Sequence, residues 1–187
     1  PWIMPWHTII PPRADHPLGA HVWVPIDDEN NWAWSINYHP KRALTDAELT
    51  AMKNGQGIHN KYVPGTFIPL ANKRNDYLMD RAAQKAGVHY SGVEGIAMQD
   101  ASLQESMGPI QDRTRENLCP TDRGIVMMRR MLLQAAEANR AGKPLPGLDP
   151  AHQRVRSCAI ELARDQHYKD HARHGLFAPL DTDPVSV

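Results

Sequence analysis

Residues 21–38 read HVWVPIDDENNWAWSINY, and the pattern on either side of the polar centre of this stretch decides the fold class. His21–Ile26 and Asn31–Tyr38 are rich in aromatic and β-branched residues, the types that suit a pleated, half-buried surface. Asp27, Asp28, Glu29 and Asn30 between them are turn formers, so the two runs are predicted to fold back as an antiparallel hairpin. Trp32 and Trp34 alternate with Ala33 and Ser35, which puts both indoles on one face. Two readings of that face stay open: indoles buried in the core or under a packed helix, or indoles walling an aromatic pocket. Upstream, Trp2–Ile10 reads as another strand, and all 5 tryptophans lie in the first 34 residues.

Beyond Pro40 the pattern turns helical. Thr45 and Glu48 form a capping-box pair that starts a short helix ending near Lys53. Residues 54–72 hold several Gly and Pro and read as a long loop. Asp76–Ala86 is read as a helical turn or two. Thr121 is expected to cap a long helix over Asp122–Arg140, with Ile125, Met128, Leu132 and Ala135 at helical spacing. Gly142–Gly147 reads as a linker. Asp149 with Pro150 is expected to open a last helix, with Val155, Ala159 and Leu162 as its buried stripe. The tail, residues 178–187, is expected to be flexible.

Composition excludes several classes. Lys and Arg total 21 against 21 Asp and Glu, so no basic footprint for nucleic acid or an anionic membrane exists. No apolar run approaches the roughly 20 residues that span a bilayer. Cys119 and Cys158 are far apart in sequence, which suggests reduced thiols in a cytoplasm rather than a disulfide framework. A length of 187 residues ordinarily makes one domain and suffices to bury a core.

The chemistry-bearing stretch is Gly95–Asn117, GIAMQDASLQESMGPIQDRTREN. It reads as a short polar helix stopped by Gly108-Pro109. Asp100 is the carboxylate of interest: it follows Ile96 and Met98, and Gln104 lies one turn on along the same side. Amides beside a carboxylate can hold it ionised and oriented, as partners of metal ligands do. One carboxylate with two histidines is the donor set of non-haem Fe(II) oxygenases, although a lone acid names no metal. A surface helix with solvated charges is the plainer reading of the same spacing.

Residues 99–133, QDASLQESMGPIQDRTRENLCPTDRGIVMMRRMLL, closely resemble the C-terminal part of Rieske-type aromatic ring-hydroxylating oxygenases. Within that family the stretch resembles the branch of phthalate 4,5-dioxygenase and 3-chlorobenzoate dioxygenase. WIMPWHTIIPP, HVWVPIDDENNWAWSINYHP and NKRNDYLMDRAAQ resemble the same branch, in the same order along the chain. The resemblance implies an α+β fold of helix-grip type, an antiparallel sheet wrapping long helices. It implies O2 activation at mononuclear Fe(II), hydroxylating or demethylating an aromatic acid, with Asp100 completing a two-histidine, one-carboxylate triad. It further implies electrons from a [2Fe–2S] cluster, NAD(P)H as their source through a reductase or ferredoxin partner, and a homotrimer or hexamer.

The family's C-x-H…C-x-x-H cluster motif and D-x-x-H-x-x-x-x-H iron motif do not occur in these residues. Residues 1–187 are therefore expected to be the C-terminal catalytic-domain portion of an α subunit, with the Rieske domain and the histidine ligands elsewhere, and to be inactive alone. His16 and His21 have the right separation for the iron motif, but Asp15 is adjacent to His16, and Pro17 and Gly19 make a turn. They are assigned to a turn and a strand start. His167, His171 and His174 are assigned to a solvated helix end, although His167 and His171 share a face that suits a stray metal ion.

A carboxylate substrate needs a cationic anchor, for which Arg13, Lys73 and Arg74 are available, each also readable as a solvated loop charge. Two alternatives stand beside the oxygenase reading. One is a helix-grip module that holds a small aromatic ligand without redox chemistry. The other is a structural piece contributing pocket wall and oligomer contacts.

Overall fold

The computed structural model describes residues 1–11 and 15–179. The fold is α+β, with a four-stranded antiparallel sheet and several helices. The chain divides into two compact units, one of residues 1–26, 31–42 and 113–187, the other of residues 27–30 and 43–112.

In the first unit β1 (Trp2–Ile3), β2 (His7–Ile10), β3 (Leu18–Pro25) and β4 (Asn31–Tyr38) pair in sequence order. The predicted strand Trp2–Ile10 is split, because Pro5, which has no N–H to give a ladder, sits in a turn that folds β2 back on β1. The predicted hairpin is present, with Trp34 opposite Val22 and Trp32 opposite Val24. Trp32 and Trp34 share a face as their alternation requires, with ring centroids 6.3 Å apart. They are not buried, however: 42% of Trp32 and 56% of Trp34 is exposed, and Ile36 and Tyr38 continue the same exposed row. The opposite face is more polar. There Trp23 Nε1 donates to Thr8 Oγ1 at 3.2 Å, and His21 lies 3.4 Å from Ser35 Oγ. His21 is thus a mid-strand residue, while His16 stays in the preceding turn.

The long helix α4 runs Arg123–Arg140. Thr121 is not its cap. Pro120 starts a 3-10 turn, Pro120–Asp122, in which the Asp122 carboxylate accepts the Cys119 N–H at 2.8 Å, and Asp122 holds the cap position of α4 without a side-chain bond to it. Met128, Leu132 and Ala135 are half-buried as their spacing predicts, but Ile125 is exposed. Arg129 on α4 forks onto Glu116 with Nη1–Oε2 2.6 Å and Nη2–Oε1 3.0 Å, and Arg113 also donates to Glu116. The Arg129 and then the Arg113 hydrogen bonds hold the Glu116 carboxyl below the usual carboxylate range.

The expected helix after Asp149 is a correction. Asp149 does accept the Ala151 N–H at 2.8 Å, yet only a 3-10 turn, Pro150–Gln153, follows. Beyond it the Arg156 N–H donates to the Leu176 carbonyl, a bond that a continuing helix could not make, and Ser157 Oγ donates to the Ile10 carbonyl. Val155, Ala159 and Leu162 therefore form no helical stripe. The last helix, α5 (Tyr168–Leu176), begins at His167, whose Nδ1 accepts the Lys169 N–H. His167 is an N-terminal cap rather than part of a cationic C-terminal end. Residues 180–187, most of the predicted tail, and Arg13 lie outside the described residues.

The second unit opens with the polar turn of the hairpin, where Asp27 Oδ1 accepts the N–H groups of Glu29 and Asn30 at 2.8 and 2.7 Å. Helix α1 (Asp46–Lys53) has the predicted capping box: Thr45 Oγ1 accepts from Glu48 N, and Glu48 Oε2 accepts from Thr45 N. After a loop come a 3-10 turn at Lys73–Leu78, α2 (Arg81–Lys85) and α3 (Ile96–Ser106). Tyr77, Val93 and Met98 make the core of this unit, with Ala71, Met79 and Ala101 packed against them, and Val93 is wholly enclosed. The sequence expectation of a substantial core is met only thinly. Among the described residues the other buried apolar side chains are Met4 and Leu18 of the first unit. No described helix is long and apolar enough to cross a membrane.

Candidate functional site

Helix α3 carries two faces of different character, which follow from 3.6 residues per turn. Met98, Ala101, Ser102 and Glu105 recur at helical spacing and meet the unit's core: Met98 and Ser102 are buried, and Glu105 Oε2 accepts a hydrogen bond from Tyr77 Oη at 2.6 Å. Ile96, Asp100, Leu103 and Met107 step by four, three and four residues along the other face. All are exposed, Ile96 by 63%, Leu103 by 55% and Met107 by 57%. Asp100 is therefore a lone carboxylate within an apolar, solvent-facing stripe. Met98 and Asp100, two residues apart, point to opposite sides of the helix. Gln104 lies on the Asp100 side, but among the described residues none donates a hydrogen bond to the Asp100 carboxylate. The amide support expected from Gln104 is absent.

The segment facing the core side of α3 is strained. Asp76, Tyr77 and Leu78 have φ of 51, 55 and 51°, three consecutive left-handed residues without a glycine. Each costs on the order of 1 kcal/mol or more. An asparagine pair holds the turn: Asn72 Nδ2 donates to the Pro69 carbonyl at 2.8 Å, Asn75 Nδ2 to the Leu70 carbonyl at 2.6 Å, and Asn75 Oδ1 accepts Asn72 N–H at 2.8 Å. Within this turn Tyr77 is buried, with 6% of the residue exposed. Burial, and then the hydrogen bond to Glu105, push the Tyr77 hydroxyl up to about 12.

A raised folded pKa gives stability that is complete below the ordinary tyrosine value of about 10 and is lost as pH climbs towards 12. Tyr77→Phe should accordingly lower stability by about 1 kcal/mol at neutral pH. It should also flatten the fall in stability between pH 10 and 12, read by denaturant titrations across that range.

Among the described residues no group of three or more His, Cys, Asp or Glu stands together as a metal cage. Asp100 fits one carboxylate donor of such a centre, because it is unpartnered, faces away from the core, and is flanked by apolar groups that exclude water once covered. One carboxylate is too few donors to hold an ion. Lys73 and Arg74 are exposed on the 3-10 turn. The cations that do gather are ones the sequence reading passed over: Lys53 and Lys61, with His59 and Tyr62, border an open hollow of about 590 Å³ in the second unit.

The family model described as "LigXa C-terminal domain like" matches residues 1–168. The chain belongs to that family. In this LigXa C-terminal-like chain, 167 residues are 36% identical to the 3-chlorobenzoate-3,4-dioxygenase oxygenase subunit of Comamonas testosteroni, covering 81% of this chain and 38% of that one. Over 191 residues it is 28% identical to the phthalate 4,5-dioxygenase oxygenase subunit of Pseudomonas putida, covering 99% of this chain and 42% of that one. Its relatives are thus oxygenase subunits of aromatic dioxygenases, and the chain spans about two-fifths of the length of these curated relatives.

Proposed function

We propose that this chain is the C-terminal catalytic-domain portion of a Rieske-type non-haem iron oxygenase α subunit, and that Asp100 is the carboxylate donor to its mononuclear iron. The observation that carries the reading is the placement of Asp100: an unpartnered carboxylate on the outward, apolar face of a helix whose other face is fixed to the core. The likeness to oxygenase subunits of aromatic dioxygenases supports it. In this reading the two histidine donors and the [2Fe–2S] cluster belong to parts of the subunit other than residues 1–187. In this reading the complete catalytic domain has a helix-grip arrangement, an antiparallel sheet wrapping long helices. When bound, the iron supplies O2 activation, and the protein supplies ligands, an open position and a dry pocket. Asp100 would give an anionic oxygen ligand. Ile96, Leu103 and Met107 would keep water from it and strengthen its attraction to a cation.

The substrate of this reading is a small aromatic acid, hydroxylated or demethylated. Electrons come from NAD(P)H through a reductase or ferredoxin, the assembly is a homotrimer or hexamer, and the setting is cytoplasmic. Iron analysis tests it. The oxygenase subunit carrying this chain should bind mononuclear iron in a fixed ratio, whereas residues 1–187 alone should bind Fe(II) weakly or not at all. Tight stoichiometric Fe(II) binding by residues 1–187 would overturn the assignment of the histidines. A subunit that binds an aromatic acid but no iron would instead favour the ligand-binding module.

A further inference from the structure

Helix α3 can present Asp100 outward only if its roll about its own axis is fixed, and packing alone fixes that roll poorly. Its inward face offers small or flexible groups, namely Ala101, Ser102 and the unbranched Met98, to a core with few large side chains. Ser102 Oγ on that face bonds only within the helix, to the Gln99 carbonyl; the directional contact from that face to another element among the described residues is the hydrogen bond from Tyr77 Oη to Glu105 Oε2 at 2.6 Å. Glu105 lies five residues beyond Asp100, on the opposite side of the helix, so a bond that holds Glu105 inward turns Asp100 outward. Tyr77 in turn is held by the left-handed run Asp76–Leu78 and by the Tyr77 N–H bond to the Asn72 carbonyl at 2.9 Å. A backbone that maintains three non-glycine residues at positive φ to bury one tyrosine is spending stability on the position of its hydroxyl.

We propose that Tyr77 is a positioning residue for Asp100, acting through its hydrogen bond to Glu105, which locks the roll of α3. This rests on the reading of Asp100 as the iron carboxylate. The Tyr77 hydroxyl keeps its proton to well above neutral pH, so the lock stays closed across the range in which an enzyme of this class is assayed.

The test uses the oxygenase subunit that carries this chain, with Fe(II) affinity measured by chelator competition and stability by thermal unfolding. Tyr77→Phe keeps the ring and removes the donor; Glu105→Leu removes the acceptor; Glu105→Gln keeps an acceptor oxygen in place. Thr45→Ala, which breaks the α1 cap, supplies a comparable loss of stability away from the lock. Tyr77→Phe and Glu105→Leu should each weaken Fe(II) binding about 10-fold or more, as loss of a ligand's supporting contacts does. Glu105→Gln and Thr45→Ala should bind within about 2-fold of the parent. Parent-like affinity in Tyr77→Phe, or an equal loss in Thr45→Ala, overturns the positioning role. Asp100→Ala separates the two ideas: if it keeps its iron, the reading of Asp100 itself fails, and if it loses iron while Tyr77→Phe does not, only the lock fails.

Discussion

Gly92→Ala is expected to destabilise the subunit by about 3–4 kcal/mol, a fall of roughly 10 °C in Tm. Two independent causes add. Gly92 has φ of 77°, where an alanine is strained, and a Cβ there would stand 2.7 Å from the Asp80 carbonyl oxygen. The carbonyl cannot retreat freely, because the Asp80 N–H donates to the Gly92 carbonyl at 2.8 Å and the Asp80 side chain caps α2. Val93, the most enclosed side chain of the second unit, is the next residue, so a backbone shift would open the core. Gly108→Ala is the comparison: its φ is 95° but nothing lies within 4 Å of the added carbon, so only the backbone strain of about 1 kcal/mol remains. Denaturant titration of the two variants checks this. Equal losses would show that the close approach to Asp80 carries no weight.

Asp100→Ala should cut hydroxylation by the complete oxygenase by about 100-fold or more, while moving the Tm of the iron-free protein by no more than about a degree or two. Stability is spared because Asp100 is exposed and no described residue donates a hydrogen bond to it, and surface changes of that kind fall within about 0.5 kcal/mol. Activity is lost in this account because an anionic ligand is removed where nothing nearby can replace it, since Glu105 is turned the other way and bonded to Tyr77. Product formation, and thermal unfolding after removal of iron, measured on one preparation, separate the two effects.

Local signals in the sequence were read correctly where nothing distant competed with them. The hairpin was legible because alternation and an Asp-Asn turn act over a few residues, and Asp27 does close that turn through its own side chain. The capping box at Thr45 and Glu48 was legible for the same reason. The helix expected after Asp149 failed because the Arg156 N–H bonds to the Leu176 carbonyl, a partner that no window of sequence reveals. The left-handed run at Asp76–Leu78 carries no glycine, so its conformation had no local signal; the asparagines that hold it lie on either side of Lys73 and Arg74. At the site, spacing placed Asp100 on a helix, but spacing does not say which face meets the core. The hydrogen bond between Tyr77 and Glu105 on the inward face was missed. A buried-tyrosine contact across 28 residues leaves no periodicity to find.

The most direct test of the central claim is the mononuclear iron bound per subunit by Asp100→Ala and Asp112→Ala, purified side by side. Asp112 is an exposed acid beyond the Gly108-Pro109 break, twelve residues along from Asp100. The account predicts that Asp100→Ala loses the mononuclear iron while keeping the [2Fe–2S] absorbance, and that Asp112→Ala retains both. Full iron in Asp100→Ala together with its loss in Asp112→Ala would contradict the account, leaving the family in place and moving the site to the other carboxylate.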